Sequence, residues 1–586
     1  MLNNLRKLAI PVAGILFSGI LFSQGTKKDN NIGGFEIRLN QVGYYPDALK
    51  MFMVSDALAD SFKIKKQDGR IVFSGKLSEA KFWDKSGEKV QTGDFSSLKD
   101  SGKYFIELNT HAISYPFEIK PNLYHDLAIF ATRAFYLQRA SLTIDKRFAG
   151  DYSRPMGHPD TACYFHPSTG HNGGKKASPR GWYDAGDYNK YVVNAGVTMG
   201  TLMQLHELFP DYLPDGALNI PESGNRINDL VDEIRYELDW LLSMQDADGG
   251  VFVKVSNLKH DPFAMPDKTL EKRYIIGKST GASLCFSAVL AQASRIMKPI
   301  NNDYANYLLQ CSQRAWNWAI QNPNKVFKNP PDVHTGEYFE DDFGNNFFWA
   351  ASELYTTTSS PVYYHEFQKY SRPLDFSIGN WRNFLPDLGY FSLISQQSKL
   401  PENEKTVIKK RLYNIADSLL ERMKVIPYRI SVDNFTWGSN SDILDAAIIF
   451  EEAYHYSKER KYLNAAIENT DYVLGKNATS YSFVTGFGAH SPKNPHHRLS
   501  ASDGIEGPIP GFLVGGPNSG HNDANNESWG VKYKYNEPAR SYMDEQNSWA
   551  SNEVAINWNA PLVFITGFLE NSMGKEQKQP ANKFKH

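Results

Sequence analysis

A small β-sandwich of immunoglobulin type, followed by a large all-α domain of barrel type, is the fold class this sequence predicts. Three observations carry the prediction. Short, partly alternating apolar runs separated by Gly-containing turns occupy residues 35–119. From residue 123 onward the apolar period changes to that of helices. With 586 residues, the chain is also too long for one ordinary domain.

The first element is an address. Arg6 and Lys7 precede the apolar run Leu8 to Phe22, and Ser23-Gln24-Gly25 closes it, so residues 1–23 read as a signal peptide. The run is short for a membrane span, no later segment is long enough, and no cysteine stands near the cleavage point to carry a lipid. An exported chain, periplasmic or extracellular and without a membrane span, is expected. In the sandwich, Phe35 to Leu39, Met51 to Val54, Arg70 to Phe73 and Lys103 to Leu108 read as strands, with Asp68-Gly69 and Ser101-Gly102 as turns. No tryptophan cluster marks these strands, which favours a structural brace for the next domain over a glycan-binding face.

Helical spacing then recurs at Leu123 to Ala140, Val192 to Leu208, Ile227 to Met244, Thr280 to Met297, Asp303 to Ile320 and Asn345 to Tyr355. It continues at Glu404 to Met423, Ser441 to Tyr456, Tyr462 to Leu474 and Asn559 to Leu569. Ser441-Asp442 and Asn559-Ala560-Pro561 make reasonable helix starts. About ten to twelve helices joined by long Gly-, Pro- and aromatic-rich loops suit an α/α barrel, whose loops at one end build a cleft. The pattern alone does not separate that barrel from another helical toroid, and the fixed-period repeat of a solenoid is absent. The barrel is placed at 123–573, and the Lys- and Gln-rich tail 574–586 is expected to be disordered.

Composition removes several classes of function. The 63 basic and 65 acidic residues nearly cancel, leaving no electrostatic footprint for nucleic acid. Three cysteines, Cys163, Cys285 and Cys311, do not make a disulfide framework, and the last two fall in helical apolar patterns as buried thiols. No phosphate loop, nucleotide fingerprint or Ser-His-Asp order occurs. Aromatics reach 13% of residues, enough to supply stacking platforms for sugar rings in addition to cores.

The chemistry concentrates in two segments. Glu553 lies between Tyr542 and Pro561 among aromatics and amides, just before the apolar run Leu562 to Leu569. Partial desolvation there would raise the pKa of its carboxyl, as a general acid needs. Far upstream, Gly181-Trp182-Tyr183-Asp184-Ala185-Gly186-Asp187-Tyr188 offers two carboxylates three residues apart among glycines and aromatics. These suit a water-activating base with a helper. An acid on one segment and a base on another is the arrangement glycosidic hydrolysis requires.

On these residues the chain resembles glycoside hydrolase family 9, in the subgroup with an N-terminal immunoglobulin-like domain. Arg38-Leu39-Asn40-Gln41-Val42-Gly43-Tyr44 is similar to the opening of that domain, and Asp184-Ala185-Gly186-Asp187 to the family's catalytic segment. Tyr542, Asp544, Trp549, Glu553, Ala555, Asn559 and Ala560 fit the C-terminal signature at every fixed position. Pro495-His496-His497-Arg498 fits the histidine signature, with one departure: six residues before His496, where Asn, Lys or Arg is usual, stands His490. The resemblance implies an (α/α)6 barrel and inverting hydrolysis of β-1,4-glucans, as in an endoglucanase. By position, Glu553 would be the acid, Asp187 the base and Asp184 its helper, with Asp544 supporting the site from beside it. His496 and Arg498 would bond sugar hydroxyls, while Trp558 and Trp437 would provide platform and cleft loop.

No cofactor is required by this chemistry, and a monomer acting on a β-glucan is expected. Some relatives carry a structural zinc where His158, Cys163, His166 and His171 crowd together, but one cysteine is too few for it, so zinc is not expected. Structural calcium is allowed by the resemblance, without a ligand set. Asp246-Ala247-Asp248-Gly249-Gly250 begins like a calcium loop, lacks the later ligands and reads as a turn. Two rivals stand. An exo-acting glucosidase or glucosaminidase would need its cleft blocked, by loops such as Tyr338 to Trp349 or His490 to Gly516. A non-catalytic glycan-binding protein has the four acidic residues Asp184, Asp187, Asp544 and Glu553 against it.

Overall fold

The computed structural model describes residues 36–269, 271–371, 375–379, 382–524 and 530–576. The segments read as signal peptide and as tail therefore lie outside the described residues, apart from the end of the last helix.

Eight strands build the sandwich: β1 (Ile37–Arg38), β2 (Met51–Ser55), β3 (Ser61–Lys66), β4 (Ile71–Lys76), β5 (Lys81–Trp83), β6 (Glu88–Asp94), β7 (Gly102–Leu108) and β8 (Phe117–Ile119). One sheet has the order β1-β2-β6-β5, the other β4-β3-β7-β8. The period of two divides each strand between two partners. Phe52 and Val54 of β2 turn inward onto Phe62, Ile64, Tyr104 and Ile106, while Met53 between them joins the barrel's core together with Trp83 and Val90. The sandwich is thus finished on its second face by the other domain. Trp83 packs on Tyr428 and Phe435, at centroid separations of 5.1 and 6.0 Å.

Polar bonds reinforce this seam. Asn40 Nδ2 donates to Asp471 Oδ1 at 2.7 Å, Gln41 Nε2 donates to the Ser480 carbonyl at 2.8 Å, and Arg38 pairs with Glu88 beside the Tyr428 hydroxyl. Tyr45 Oη and the Tyr124 N–H both donate to Glu570 Oε1, at 2.5 and 2.7 Å. The segment Arg38 to Tyr44 is a stitch between domains, in keeping with the brace read from the sequence.

The second domain has, among the described residues, twelve helices of ten residues or more. Six form an inner ring: Val192–Leu208 packs on Thr280–Met297, which packs on Gly344–Thr358 and that on Leu385–Ile394, while Ser439–Ser457 packs on Ile556–Glu576, which returns to Val192–Leu208. Inner helices have no polar face. Val192 to Leu205 are all buried, as a helix surrounded by others demands. Outer helices such as Asp229–Ser243 and Asn302–Gln321 keep one solvent face.

Val192–Leu208 and Thr280–Met297 have the ends expected from the sequence. Two others begin earlier. Ser439–Ser457 starts two residues before Ser441, after Gly438 at φ 86°, and Ile556–Glu576 starts before Asn559, whose side chain instead bonds the Leu513 N–H and the Ala131 carbonyl. Pro361–Ser371 and Leu385–Ile394 were not legible as helices. The latter is buried on all sides and follows a proline-containing start, so it has no amphipathic period to read.

The barrel also carries a small sheet the all-α reading lacks: β9 (Cys163–Phe165), β10 (Lys175–Lys176), β11 (Lys190–Tyr191), β12 (Phe252–Ser256) and β13 (Tyr274–Lys278), ordered β10-β9-β13-β12-β11. It stands at the end of the ring where the inner helices begin. No helix among the described residues is long and apolar enough to cross a membrane.

Candidate active site

The loops that lead into inner helices converge at one end of the ring. Before Val192–Leu208 comes the loop with Asp184 and Asp187, closed by Asp184 N–H donating to the Asn189 carbonyl at 2.9 Å. Gly186 between the two acids has no room for a side chain, since a Cβ would meet the His496 carbonyl oxygen at 1.9 Å. That close approach is used: the backbone N–H and Nη1 of Arg498 both donate to the Gly186 carbonyl, at 3.0 and 2.9 Å. His496 in turn pairs in parallel with Glu553, and the Ile556 N–H donates to the Asp184 carbonyl at 2.9 Å. The backbones bearing Asp184, Asp187 and Glu553 are therefore strapped directly to one another.

Within this frame the carboxyls are driven apart in protonation. Asp184 is buried, accepts from Tyr338 Oη at 2.6 Å and Asn194 Nδ2 at 2.7 Å, and is pushed up to about 8 by burial and by the charge of Asp187. Burial acts on Asp187 the same way but is outweighed by His260, whose Nδ1 lies 3.0 Å from Oδ2, by Arg498 and by Asn189 Nδ2 at 2.6 Å. Its carboxyl is held far below the usual range. Glu553 is pushed well above the usual carboxylate range, first by desolvation and then by Asp187, against Arg498 and the Gly186 N–H. Such a site holds a protonated acid beside an ionised base.

His496 is buried against Phe263, and its Nδ1 faces the Gln546 carbonyl at 2.7 Å, so that nitrogen carries the hydrogen. Desolvation and Arg498 hold its pKa down to about 3, so the ring is neutral with Nε2 as an acceptor. Arg498 directs Nε to the Asp261 carbonyl at 2.8 Å and stacks over Phe263. These bonds assign it to holding backbone and supplying charge to both Asp187 and Glu553.

Trp558 is half-buried, its indole hugged by Gly438 and Gly515, where a Cβ would come within 2.7 and 3.2 Å. Trp437, 46% exposed, meets Trp549 edge-on at 4.9 Å between centroids, so three indoles line this side of the site. Asp544 accepts from Nδ2 of Asn552, the residue before Glu553, at 3.2 Å. It also accepts from the Lys493 and Asn494 N–H groups at 2.8 and 2.9 Å, pinning the loop that leads into His496. His490 packs on Tyr481, and its backbone N–H donates to Gln41 Oε1 of the sandwich at 2.8 Å, so the position that departs from the signature lies at the domain seam.

The four residues crowded in sequence near position 160 do not come together as metal ligands. His158 bonds Tyr183 and Thr269, Cys163 Sγ lies by the Asp160 carbonyl, His166 bonds Ser168 and Asp332, and His171 bonds Asp246. Among the described residues no group of three or more His, Cys, Asp or Glu is arranged to hold an ion. Asp246 to Gly250 form a turn, with Lys278 bonded to both of its aspartates.

Sequence reasoning missed His260, Tyr338, Asn194 and Asn189. His260 follows β12, and nothing in a lone histidine there signals a carboxylate partner. Tyr338 sits in a loop at φ 48°, held through Lys254 Nζ bonds to Asn329 Oδ1 and the Gly336 carbonyl, both 2.7 Å.

Comparison with known proteins matches residues 124–566 to the model of glycosyl hydrolase family 9 and residues 34–112 to that of the cellulase N-terminal ig-like domain. A xyloglucan-specific endo-beta-1,4-glucanase of Bacteroides ovatus is 39% identical over 560 residues, covering 91% of this chain and 93% of that protein. Endoglucanase D of Acetivibrio thermocellus is 32% identical over 581 residues, covering 97% of this chain and 86% of that protein. Among solved structures, a Bacteroides ovatus GH9 superposes with a TM-score of 0.85 at 37% identity, over 92% of this chain and 100% of the other. A metagenome-derived family 9 endoglucanase gives 0.84 at 31% identity, over 91% and 98%. The family model runs through both carboxylate segments, and relatives above 30% identity span nearly the whole length: this chain belongs to glycosyl hydrolase family 9.

Proposed function

We propose that the chain is an inverting endo-β-1,4-glucanase in which Glu553 protonates the leaving glycosidic oxygen, Asp187 deprotonates the attacking water and Asp184 helps to hold that water. The observation that carries this reading is one backbone-bonded frame that holds Glu553 and Asp187 in environments shifting their pKa values in opposite directions. An inverting pair needs its carboxyl groups about 6.5–9.5 Å apart, with the water between base and anomeric carbon. Asp187 takes the water's proton as the C–O bond forms, and Glu553 gives its own as the glycosidic bond breaks. His496, as a neutral acceptor, and the indoles of Trp558 and Trp437 bind the sugars, while Asp544 and Arg498 hold the loops.

The proposal extends to the chain's organisation. Residues 35–119 brace a catalytic unit at 123–573, and residues 1–23 direct export to a periplasmic or extracellular setting. The catalysis requires no cofactor. The relative from Bacteroides ovatus, named for xyloglucan, makes a decorated glucan the first substrate to try beside plain cello-oligosaccharides.

The test is the time course of products from cellohexaose and from xyloglucan oligosaccharides, with anomers resolved by NMR, for the native chain and for Glu553→Gln and Asp187→Asn. Early mid-sized fragments with inverted anomers, lost in both variants while the fold persists, are expected. Glucose alone from the start would replace endo by exo action. Retained anomers or near-normal turnover in either variant would sink the mechanism.

A further inference from the structure

We propose that Arg273, anchored on Asp160, fixes the orientation of the Asn189 amide that holds Asp187, which makes Arg273 and Asp160 positioning residues for the reaction. The inference rests on the reading of Asp187 as the base.

The bonds run in sequence from a buried ion pair to the reacting carboxylate. Asp160 is buried at φ 47° behind the catalytic loop and receives Arg273 Nε at 3.1 Å on Oδ1 and Lys190 Nζ at 2.8 Å on Oδ2. Lys190 Nζ also bonds the carbonyls of Ser178 at 2.9 Å and Arg180 at 2.7 Å, tying the pair to the start of the catalytic loop. Arg273 then extends Nη1 to Asn189 Oδ1 at 3.3 Å and to Asn257 Oδ1 at 3.1 Å. The Asn257 backbone N–H is a second donor to Asn189 Oδ1, at 3.2 Å.

An asparagine amide has an acceptor end and a donor end of nearly equal size, and its surroundings decide which way it faces. At Asn189 two donors meet Oδ1, so the NH2 end turns to Asp187 Oδ2 at 2.6 Å. The reverse orientation would set an amide oxygen against a carboxylate and NH2 against a guanidinium, both repulsive. A fork is needed for this task. A guanidinium reaches Asp160 and Asn189 with different nitrogens, whereas an ammonium is a single point charge. Two cations on one buried carboxylate also leave a net positive charge beside the loop. Burial works to raise the pKa of Asp160, yet Arg273 and Lys190 hold it at about 2.

Other groups act on Asp187 as well: His260 at 3.0 Å, Arg498, Lys254, and the acids Asp184, Asp261 and Glu553. None of them bonds the Asn189 carbonyl oxygen Oδ1, so removing the Arg273 contact isolates the orientation effect.

The experiment is a double-mutant cycle on the full chain with a soluble β-glucan or xyloglucan oligosaccharide, reading kcat, KM and melting temperature. Arg273→Lys keeps the ion pair with Asp160 but loses the reach to Asn189. Asn189→Ala removes the amide. Each is expected to lower kcat about tenfold or more with KM within about twofold, and the double variant to be no worse than Asn189→Ala alone. Multiplying effects, or a native kcat in Arg273→Lys, would overturn the proposal. Should Arg273→Lys fail to fold, Asn189→Asp serves: it keeps shape and attraction to Arg273 while facing an oxygen to Asp187, so a native kcat there overturns the proposal too. Asp187→Asn is measured alongside. If it stays active, the base assignment has failed and this inference with it; if it is inactive while Arg273→Lys is native-like, only the orientation relay has failed.

Discussion

Gly186→Ala is the perturbation that most directly tests the strapped frame. The added methyl carbon would lie 1.9 Å from the His496 carbonyl oxygen and 2.9 Å from its carbon, where ordinary contact begins at 3.4 Å. Both obstacles are backbone, so no side-chain rotation relieves them. About 1.5 Å of separation between the two segments is therefore required. One segment carries Asp187 at the next residue, and the other is paired through His496 with Glu553. The displacement falls on the gap between base and acid, and a shift of about 1 Å costs on the order of 100-fold in rate. Overpacking of this kind also costs about 1–3 kcal/mol of stability. We expect kcat to fall about 100-fold or more with a lower melting temperature, read from initial rates on cellohexaose and from a thermal melt. Gly170→Asn is the control, because Gly170 sits at φ 84° with nothing within 4 Å of its Cβ position and Asn tolerates that backbone. Native kcat in Gly186→Ala would refute the argument that this contact sets the spacing.

Four further outcomes follow from other contacts. His260→Ala removes the imidazole whose Nδ1 lies 3.0 Å from Asp187, a contact that lowers the pKa of this proposed base, so the acidic limb of the kcat/KM profile moves to higher pH; an unmoved limb would contradict the pairing. With Glu553 as the proposed acid, activity is expected to fall on the alkaline side as pH climbs through its raised pKa, and Glu553→Gln to abolish turnover; a kcat profile flat to alkaline pH would contradict the assignment. Trp83→Ala should cost about 3–5 kcal/mol and lower one shared melting transition, whereas two separated transitions in calorimetry would show that the seam does not couple the domains. Trp437→Ala, at an exposed indole, is expected to weaken binding of long oligosaccharides more than short ones in isothermal titration with the melting temperature unchanged.

What the sequence made legible is what chemistry repeats in short range. Asp184 and Asp187 share one loop, and Glu553 precedes an apolar helix, so spacing and composition made them candidates, and the resemblance to the family's segments supplied their expected roles. Two of their partners, Tyr338 and His260, come from distant loops and carry no local signature because the fold, and not the sequence around them, brings them to the carboxylates. Asn189 and Asn194 lie two and ten residues from the carboxylates they bond, but nothing in an isolated asparagine marks such a bond in advance. Asp544 and Arg498 bond backbone and neighbouring side chains around the carboxylates, a detail no motif carries: a motif records that a residue is needed, without saying what it touches. The small sheet was overlooked because strands of two to five residues fall below the window in which helical periodicity is judged.

The bond from Tyr45 to Glu570 joins a residue near the start of the described chain to one near its end. A ribosome makes these two groups 525 residues apart. The sandwich is made before the barrel, yet Met53, Trp83 and Val90 have no covering until the barrel forms, and the barrel's ring stays open until Ile556–Glu576 enters between Val192–Leu208 and Ser439–Ser457. The nascent chain thus carries an unfinished apolar face while the barrel is being made, and the helix Ile556–Glu576 both closes the ring and seals the sandwich. Truncations from the C-terminus should therefore harm the N-terminal sandwich as surely as they harm the catalytic end.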